Sequence, residues 1–531
     1  MLSGLETAEP IIESRHSDTV KTGASLEFTR AENNWQRRWS ITASLILALG
    51  TLLRVYELSL KPLHHDEAVN GFFLLGLFRE GIYRYNPANY HGPTLYYFAL
   101  ISCSINNLLF GSEGPSTVAV RMVPVLFGIG IIGIVLAFRD QLGTIGALAA
   151  STLAALSPGM VYLSRDFIHE MLLVFFTLWL ALCSMRFAGT GKTGQTLLGA
   201  IAAALMFCTK ETAPLSFFSL LLGVIAAIVW AGPYRPRIVP NFGTWRQILL
   251  QAVAAVALFL VSSFLFFSSF FGNYPQGVRD AVTTYSYWAR TGMTQQTAPW
   301  YTYLLWLIHK EAPIFILAVI GTGIALVQRR DRFAIFASTW VFTLLVVYSI
   351  LPYKTPWILL NIIVPMCLVA GHAVQELWNY RTKLFPGTMR WLAPATLIAV
   401  VTAVCLYQSI QLNFIHYDDP RYVYPYVQTR RTFLSLIDVV NEIAKSMGTG
   451  TATSVAVLAP EYWPLPWYLR DYRNTGYFAQ VIPTNASLII GSQRQQPELE
   501  HQLAGRYRFA GMYPMRPGVE LVLFVSNRQT R

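Results

Sequence analysis

The sequence has 531 residues, of which 54% are hydrophobic and 13% are charged. An ordinary soluble protein has about twice that charged fraction, at roughly 25%, so the composition excludes a soluble domain and indicates a protein of the lipid bilayer. The 40 Lys and Arg residues outnumber the 28 Asp and Glu residues, for a formal net charge of +12. In a membrane protein such an excess concerns loop orientation, and we expect no nucleic-acid partner.

The first 38 residues are polar and carry scattered charge. This composition predicts a disordered cytoplasmic tail over residues 1–38. The first apolar segment lies too far from the N-terminus to be a cleaved secretory signal. We therefore expect it to be a retained membrane anchor.

About eleven apolar runs have the length that a membrane span requires. They lie near residues 41–57, 117–138, 142–157, 167–188, 195–209, 213–231, 247–271, 304–327, 333–350, 357–378 and 391–410. We therefore predict an all-α polytopic transmembrane domain over residues 39–410, without the inverted repeat of many secondary transporters. The five cysteines all fall in apolar stretches without metal or disulfide spacing, which predicts small buried hydrophobes.

For a further apolar run, residues 93–110, the question is whether it spans the membrane. The answer determines on which side of the membrane every later loop lies. If this run does not span, the inner loops hold twelve cations against only two acids, Asp140 and Asp331. The positive-inside rule favours that topology, so we predict juxtamembrane helices on the outer face within the first outer loop. An ordinary span remains the alternative. The predicted location is the plasma (inner) membrane, with a cytoplasmic N-terminus.

From about residue 411 the hydropathy pattern changes. Residues 432–446 have helical periodicity, and residues 454–458, 487–490 and the segment ELVLFVS have the composition of strands. Residues 411–531 are therefore predicted to form a small α/β domain. The parity of the spans makes this domain extracytoplasmic.

The first outer loop carries the sequence His64-His65-Asp66-Glu67. Four adjacent titratable side chains at a bilayer surface indicate a site, since ionisable groups near lipid are costly. Asp66 or Glu67 would suit a general base for an acceptor hydroxyl. A solvated charged loop is the alternative. The cluster is weak as a metal site because adjacent residues cannot all face one ion.

An aromatic stretch follows, with Tyr90-His91-Gly92-Pro93 at its centre. Tyrosines at a membrane surface often form an interfacial belt. Aromatic faces also stack on sugar rings, so His65, Tyr90 and His91 are candidate substrate-binding residues.

The other ionisable residues of the membrane domain gather at outer turns. Several cations converging at one face would bind an anionic lipid headgroup, whereas single ones would be snorkelling anchors. The candidates for substrate binding at these turns are Arg165, Asp166, Lys210, Glu211 and Lys354.

The order of these motifs resembles the GT-C glycosyltransferases. The carrying segments are the first-loop acids, Gly92-Pro93-Thr94-Leu95-Tyr96-Tyr97, Arg121, Ser164-Arg165-Asp166 and Thr209-Lys210-Glu211. The pattern looks most similar to the protein mannosyltransferase and aminoarabinose transferase branch. Those enzymes take a sugar from a polyprenyl phosphate and transfer it on the extracytoplasmic side.

Within that superfamily the whole chain resembles the group associated with flippase activity in archaeal N-glycosylation. The carrying segments are His65-Asp66-Glu67-Ala68, Tyr90-His91-Gly92-Pro93, Tyr353-Lys354-Thr355-Pro356-Trp357 and residues 461–470. The resemblance implies that Asp66 is the first-loop acid that engages the acceptor or catalyses, and that Asp166 is a second outer acid. It also implies that Arg165 and Lys210 lie near the lipid phosphate.

The leading hypothesis is a membrane glycosyltransferase that uses a polyprenyl-phosphate-linked sugar and a glycan, lipid or protein acceptor. The alternative is a lipid-linked oligosaccharide flippase, or a flippase-associated protein, that binds the same headgroup among membrane lipids without chemistry. No cofactor is indicated with certainty. A divalent cation is left open, and no metal ligands are assigned.

Overall fold

The structure, a computed structural model, describes residues 12–89, 91–111, 114–231, 244–291 and 297–527. The described residues up to Ile410 form helices and the turns and loops between them. The first seven helices are α1 (Ile12–Val55), α2 (His65–Glu80), α3 (Thr94–Phe110), α4 (Thr117–Ala137), α5 (Arg139–Leu142), α6 (Thr144–Leu156) and α7 (Pro158–Leu163). Next come α8 (Glu170–Thr190), α9 (Thr193–Phe207), α10 (Ala213–Trp230), α11 (Trp245–Phe267), α12 (Gln276–Thr291), α13 (Thr302–Lys310), α14 (Ala312–Gln328), α15 (Arg332–Ile350), α16 (Leu359–Leu384) and α17 (Met389–Ile410).

Eight helical segments of the described ranges are long and apolar enough to cross a membrane. They are Asn34–Val55, Thr117–Ala137, Glu170–Thr190, Ala213–Trp230, Trp245–Phe267, Arg332–Ile350, Pro356–Leu384 and Met389–Ile415. The predicted spans near 142–157 and 195–209 are the shorter apolar helices α6 and α9, and the run 93–110 is the 17-residue helix α3. The chain is an integral membrane protein. The count of eleven spans and the non-spanning role of α3 stay predictions.

The predicted span at 304–327 is not one straight helix. Helices α13 and α14 meet at an angle of 110°. Pro313 lies in the first turn of α14, where its missing N–H costs nothing and its fixed φ favours the start of a helix. The sequence pattern missed this corner because apolar residues continue on both sides of it.

Helix α1 begins at Ile12, inside the stretch 1–38 for which the sequence predicts disorder, and the disordered tail stays a prediction. No proline lies between Pro10 and Pro62, so no residue of that stretch forces a break before the apolar segment. Residues 1–11 lie outside the described residues.

The C-terminal unit is a mixed α/β layer structure. Its elements are α18 (Leu434–Ser446), β1 (Val455–Val457), α19 (Leu465–Tyr468), β2 (Thr475–Tyr477), β3 (Leu488–Ser492), α20 (Gln496–Leu503), β4 (Tyr507–Arg516) and β5 (Val519–Ser526). The strand order is β2-β1-β3-β5-β4, with β1 parallel to β2 and β3 and the other pairs antiparallel. The small α/β domain and three of its strands are thus confirmed, whereas β2 and β4 were missed.

Alternate residues of the sheet face two helical layers, as the period of a strand requires. Val455, Leu488 and Leu523 pack with α18 and α19 on one side. Ala456 and Ile489 pack with α20 on the other side. Both faces of the central strands β1, β3 and β5 are therefore buried, whereas the edge strands β2 and β4 are more exposed.

The C-terminal domain docks on α2 and on the loop that precedes it. The buried Trp467 ring lies against Gly71, where an added Cβ would come within 2.5 Å of the ring. The Leu63 N–H donates to the Tyr468 hydroxyl at 2.9 Å, and Thr429 Oγ1 donates to the Leu63 carbonyl at 2.8 Å. The C-terminal domain thus helps to position the first loop.

We expect Gly71→Ala to destabilise this docking by roughly 1–3 kcal/mol, the usual cost of overpacking. Gly76 lies on the same helix, and a Cβ there would meet nothing within 4 Å. Gly76→Ala should instead stabilise the protein by roughly 0.5–1 kcal/mol, since alanine is the better helix former. Thermal unfolding in detergent compares the two variants, and equal midpoints would contradict the close packing at Gly71.

Candidate functional site

The first loop is held by a buried arginine from α4. Arg121 is fully buried and donates from Nε and Nη2 to the two carboxylate oxygens of Glu67, at 2.8 and 2.7 Å. Its Nη1 also donates to the carbonyls of Leu58 and Lys61, both at 2.9 Å. Such a bidentate contact fixes geometry as well as charge, so Arg121 determines where the loop ends and α2 begins.

Glu67 has no oxygen left for a substrate. Besides Arg121 it accepts the backbone N–H groups of His64 at 2.9 Å and Phe167 at 2.8 Å. Burial alone would raise the pKa of Glu67, but the charge and hydrogen bonds of Arg121 outweigh it and lower that pKa. Glu67 is therefore an ionised positioning group beneath the loop.

A second ion pair lies beside the first. Lys61 pairs with Asp166, and its Nζ lies 3.5 Å from the centre of the Tyr162 ring. Both residues are almost fully buried. Burial raises the pKa of Asp166. Burial lowers the pKa of Lys61 to about 8, although the charges of Asp166 and Glu67 act to raise it. The predicted site residue Asp166 is thus tied into the support of the loop.

Asp66 differs from both of these acids. It is half-buried at the start of α2, and its carboxylate forms no hydrogen bond or ion pair with the described residues. Burial, and then the charge of Asp66, raise the pKa values of Tyr353 and Tyr426. Asp66 therefore has an uncommitted carboxylate whose charge acts on two tyrosines.

His65 lies next to it against the C-terminal domain. Its ring is 6.0 Å from that of Trp463. Burial lowers the pKa of His65 to about 4, and the charge of Arg516 contributes in the same direction. His65 is consequently neutral near pH 7.

A second polar cluster contains five of the ionisable residues at the outer turns. His91 forms a backbone bridge with Lys210, which pairs through its ammonium with Glu170. His91 Nδ1 lies 3.3 Å from Glu211 Oε2, and the His91 and His169 rings are 4.7 Å apart. We call this group of His91, His169, Glu170, Lys210 and Glu211 the lysine cluster.

Gly92 allows the two segments of the lysine cluster to meet. A Cβ at Gly92 would lie 2.0 Å from the carbonyl oxygen of Cys208, so no other residue fits. Gly92 N–H donates to the Thr209 carbonyl at 3.0 Å, and its own carbonyl lies 3.1 Å from His169 Nε2. The glycine thus brings the aromatic loop against the turn that carries Lys210.

Tyr353 connects Asp66 with the lysine cluster. Burial raises its pKa, and the charges of Asp66, Glu170 and Glu211 all add to the rise. A charge acts this way only at short range across a poorly hydrated space. The charges of the predicted residues Asp66 and Glu211 therefore both act at Tyr353.

Two predicted phosphate-binding cations have backbone partners instead. Arg165 donates to the carbonyls of Leu53 at 3.0 Å, Tyr56 at 2.6 Å and Glu57 at 2.8 Å, at the end of α1. Lys354 donates to the final carbonyls of α15, those of Tyr348, Ser349 and Leu351. Cations at helix C-termini satisfy free carbonyls and complement the helix dipole.

The described residues hold no group of three or more His, Cys, Asp and Glu side chains placed for a metal ion. Tyr90 lies outside the described residues. Candidate site residues to which the sequence assigned no role are Lys61, Arg121, His169, Glu170, Tyr353, Tyr426 and Arg516. A single charge inside a long apolar helix was a usable signal for Arg121.

Comparisons with known proteins agree with this architecture. Residues 90–267 match the family model described as dolichyl-phosphate-mannose-protein mannosyltransferase. A curated relative, undecaprenyl phosphate-alpha-4-amino-4-deoxy-L-arabinose arabinosyl transferase 2 of Pseudomonas fluorescens, is 26% identical over 224 residues. That match covers 41% of this chain and 37% of the relative.

Solved structures extend the similarity to nearly the whole chain. The apo structure of ArnT from Cupriavidus metallidurans has a TM-score of 0.62 at 15% identity, covering 93% of this chain and 98% of that chain. The structure of the same ArnT bound to undecaprenyl phosphate has a TM-score of 0.60 at 14% identity, covering 92% and 98%. The chain therefore has the GT-C fold of ArnT.

The resemblance predicted from the sequence is confirmed at this level: the chain is similar to the mannosyltransferases and aminoarabinose transferases and shares the fold of ArnT. The narrower resemblance to the archaeal flippase-associated group stays a prediction.

Proposed function

We propose that this protein is a membrane glycosyltransferase that moves a sugar from a polyprenyl phosphate to an acceptor hydroxyl. The observation that carries the proposal is the carboxylate of Asp66, which has no partner among the described residues and lies at the start of α2 on a loop held by the pair of Glu67 and Arg121. The relatives support it, since their names describe transfer from undecaprenyl phosphate and from dolichyl phosphate.

In this proposal Asp66 is the catalytic base. It takes the proton of the acceptor hydroxyl while that oxygen forms a bond to the anomeric carbon. The bond from that carbon to the phosphate oxygen breaks, and polyprenyl phosphate leaves with the electron pair and with inversion. Since phosphate is already a fair leaving group, most of the rate enhancement comes from alignment and charge stabilisation.

The lysine cluster would bind the donor phosphate. Lys210 has three N–H donors, of which Glu170 engages one. Burial and then the neighbouring cationic groups lower the pKa of His169, so the imidazole is neutral and acts as a hydrogen-bond partner. His91 and Glu211 would orient the sugar. Arg165 and Lys354 would act through the helix ends that they hold.

The experiment uses the full chain in proteoliposomes with undecaprenyl phosphate carrying radiolabelled mannose or 4-amino-4-deoxyarabinose. We expect cleavage of one of these donors, with one polyprenyl phosphate released for each sugar moved. Movement of intact labelled lipid between leaflets, without cleavage, would support the flippase alternative instead. That alternative needs a polar path, and α11 with its flanks has no charged residue between Arg246 and Arg279.

We further propose the orientation, with a cytoplasmic N-terminus, an extracytoplasmic C-terminal domain and a location in the plasma (inner) membrane. The support is the cation excess of the inner loops. The five native cysteines are buried. We therefore expect a maleimide to label only a cysteine that is added at an exposed position. Gln502→Cys should react with a membrane-impermeant maleimide in intact cells, whereas Thr382→Cys should react only after permeabilisation. The reverse pattern would overturn the orientation.

Transfer should fall as the pH rises through about 8. The folded pKa of Lys61 is about 8, below its ordinary 10.5, so Lys61 is charged below pH 8 and neutral above it. Asp166 then remains as a buried anion without its ion pair, and the support of the first loop weakens. In Lys61→Arg the guanidinium stays charged, so the alkaline decline should move to higher pH. An unchanged profile in that variant would contradict this role of Lys61.

A further inference from the structure

A cavity of about 360 Å³ opens where the membrane domain meets the outer domain. Its walls come from three separate parts of the chain: Trp306 of α13, the linker over residues 420–427, and Pro517 in the turn between β4 and β5. Each domain therefore contributes to the cavity, and neither forms it alone.

The cavity adjoins the proposed catalytic base through Tyr426. That residue lines the cavity, and the charge of Asp66 helps to raise its pKa. The Tyr426 carbonyl lies 2.9 Å from His64 Nε2, two residues before Asp66. The cavity thus lies against the loop that carries Asp66, on the side of the outer domain.

The lining is made of rings whose positions are set by neighbours. Tyr422 stacks on His416 with ring centres 4.9 Å apart. Tyr426 packs edge-on against Trp357 at 6.2 Å, and Trp306 packs edge-on against Tyr303 at 5.6 Å. Rings held in place lose little entropy when a ligand stacks on them.

The charge of the lining is already compensated. Arg421 is the one charged residue among those that line the cavity within the described residues, and its guanidinium contacts both carboxylate oxygens of Asp419. The remaining lining residues are aromatic rings, prolines and valines. This surface suits a neutral ring with an apolar face better than a phosphate ester, which needs uncommitted cations.

We propose that this cavity binds the acceptor, and that the acceptor presents a neutral sugar ring whose hydroxyl reaches Asp66. Pyranose rings expose a C–H face that packs on aromatic side chains. The inference rests on the proposed function and adds the chemical class of the second substrate. Trp306 and Tyr426 are its specificity-determining residues.

The test supplies the reconstituted protein with its donor and three probe acceptors. These are octyl glucoside below its micellar concentration, a peptide containing Ser and Thr, and octyl phosphate. We expect saturable transfer to the octyl glucoside. Donor cleavage with transfer only to the peptide or the octyl phosphate would overturn the acceptor class and leave the proposed function standing. The absence of donor cleavage under all conditions would overturn both.

Variants at Trp306 then test the cavity itself. Trp306→Ala should raise the KM for octyl glucoside about tenfold, which corresponds to about 1.4 kcal/mol, with a smaller effect on kcat. Trp306→Phe should restore most of the affinity, which a general folding defect would not allow. The control is Trp300→Ala, since Trp300 is 67% exposed outside the cavity. Equal KM values for Trp306→Ala and Trp300→Ala would overturn the cavity as the acceptor site.

Discussion

Asp66→Asn should lower the rate of sugar transfer by about 10² to 10⁴, the range expected when a general base is lost. The amide has nearly the same shape as the carboxylate but does not accept the acceptor proton. Because Asp66 forms no hydrogen bond or ion pair with the described residues, the substitution removes no structural contact. Thermal stability should therefore stay close to wild type while kcat falls.

The measurement is single-turnover transfer in proteoliposomes, together with the KM of each substrate. Asp140→Asn is the matched control, since Asp140 is exposed in the short helix α5 after α4. The control should keep wild-type turnover. If Asp66→Asn also keeps wild-type turnover, Asp66 is not the base.

The sequence predicted Asp66 as the acid but did not predict the partners of the basic residues at the turns. Asp66 was predictable because charged residues beside an apolar span are energetically costly and therefore indicate a functional site. Arg165 donates to three backbone carbonyls that lie more than 100 residues away in the sequence. No local sequence pattern indicates these partners. A basic residue at an outer turn thus looks the same in the sequence whether it caps a helix or binds a phosphate.

The same limit applies to the fold. The apolar runs predicted the helices because a bilayer requires long hydrophobic segments. The strand β4 was missed because Gly511 and Pro514 interrupt its pattern, and it is an edge strand with irregular register near both residues. The three-residue strand β2 was missed because its pairing with β1 depends on a helix and loop in between.

Breaking the contact between Glu67 and Arg121 should destabilise the protein by about 3 to 5 kcal/mol, the usual cost of leaving one buried charge without its partner. Glu67→Gln leaves Arg121 as an uncompensated cation, and Arg121→Met leaves Glu67 as an uncompensated anion. Both side chains are fully buried, so water does not compensate either charge. Denaturant titration of the detergent-solubilised protein measures the free energy of unfolding.

The double variant Glu67→Gln with Arg121→Met distinguishes a charge effect from simple loss of packing. It removes both charges, so we expect it to be less destabilised than the sum of the two single variants, by roughly 0.5–3 kcal/mol. Additive effects would contradict a direct pair. Arg121 also holds the carbonyls of Leu58 and Lys61, and the double variant loses these contacts as well. We therefore expect its rate of sugar transfer to stay below that of the wild type. Asp66 then keeps its chemistry but loses its fixed position, which separates a positioning pair from a catalytic one.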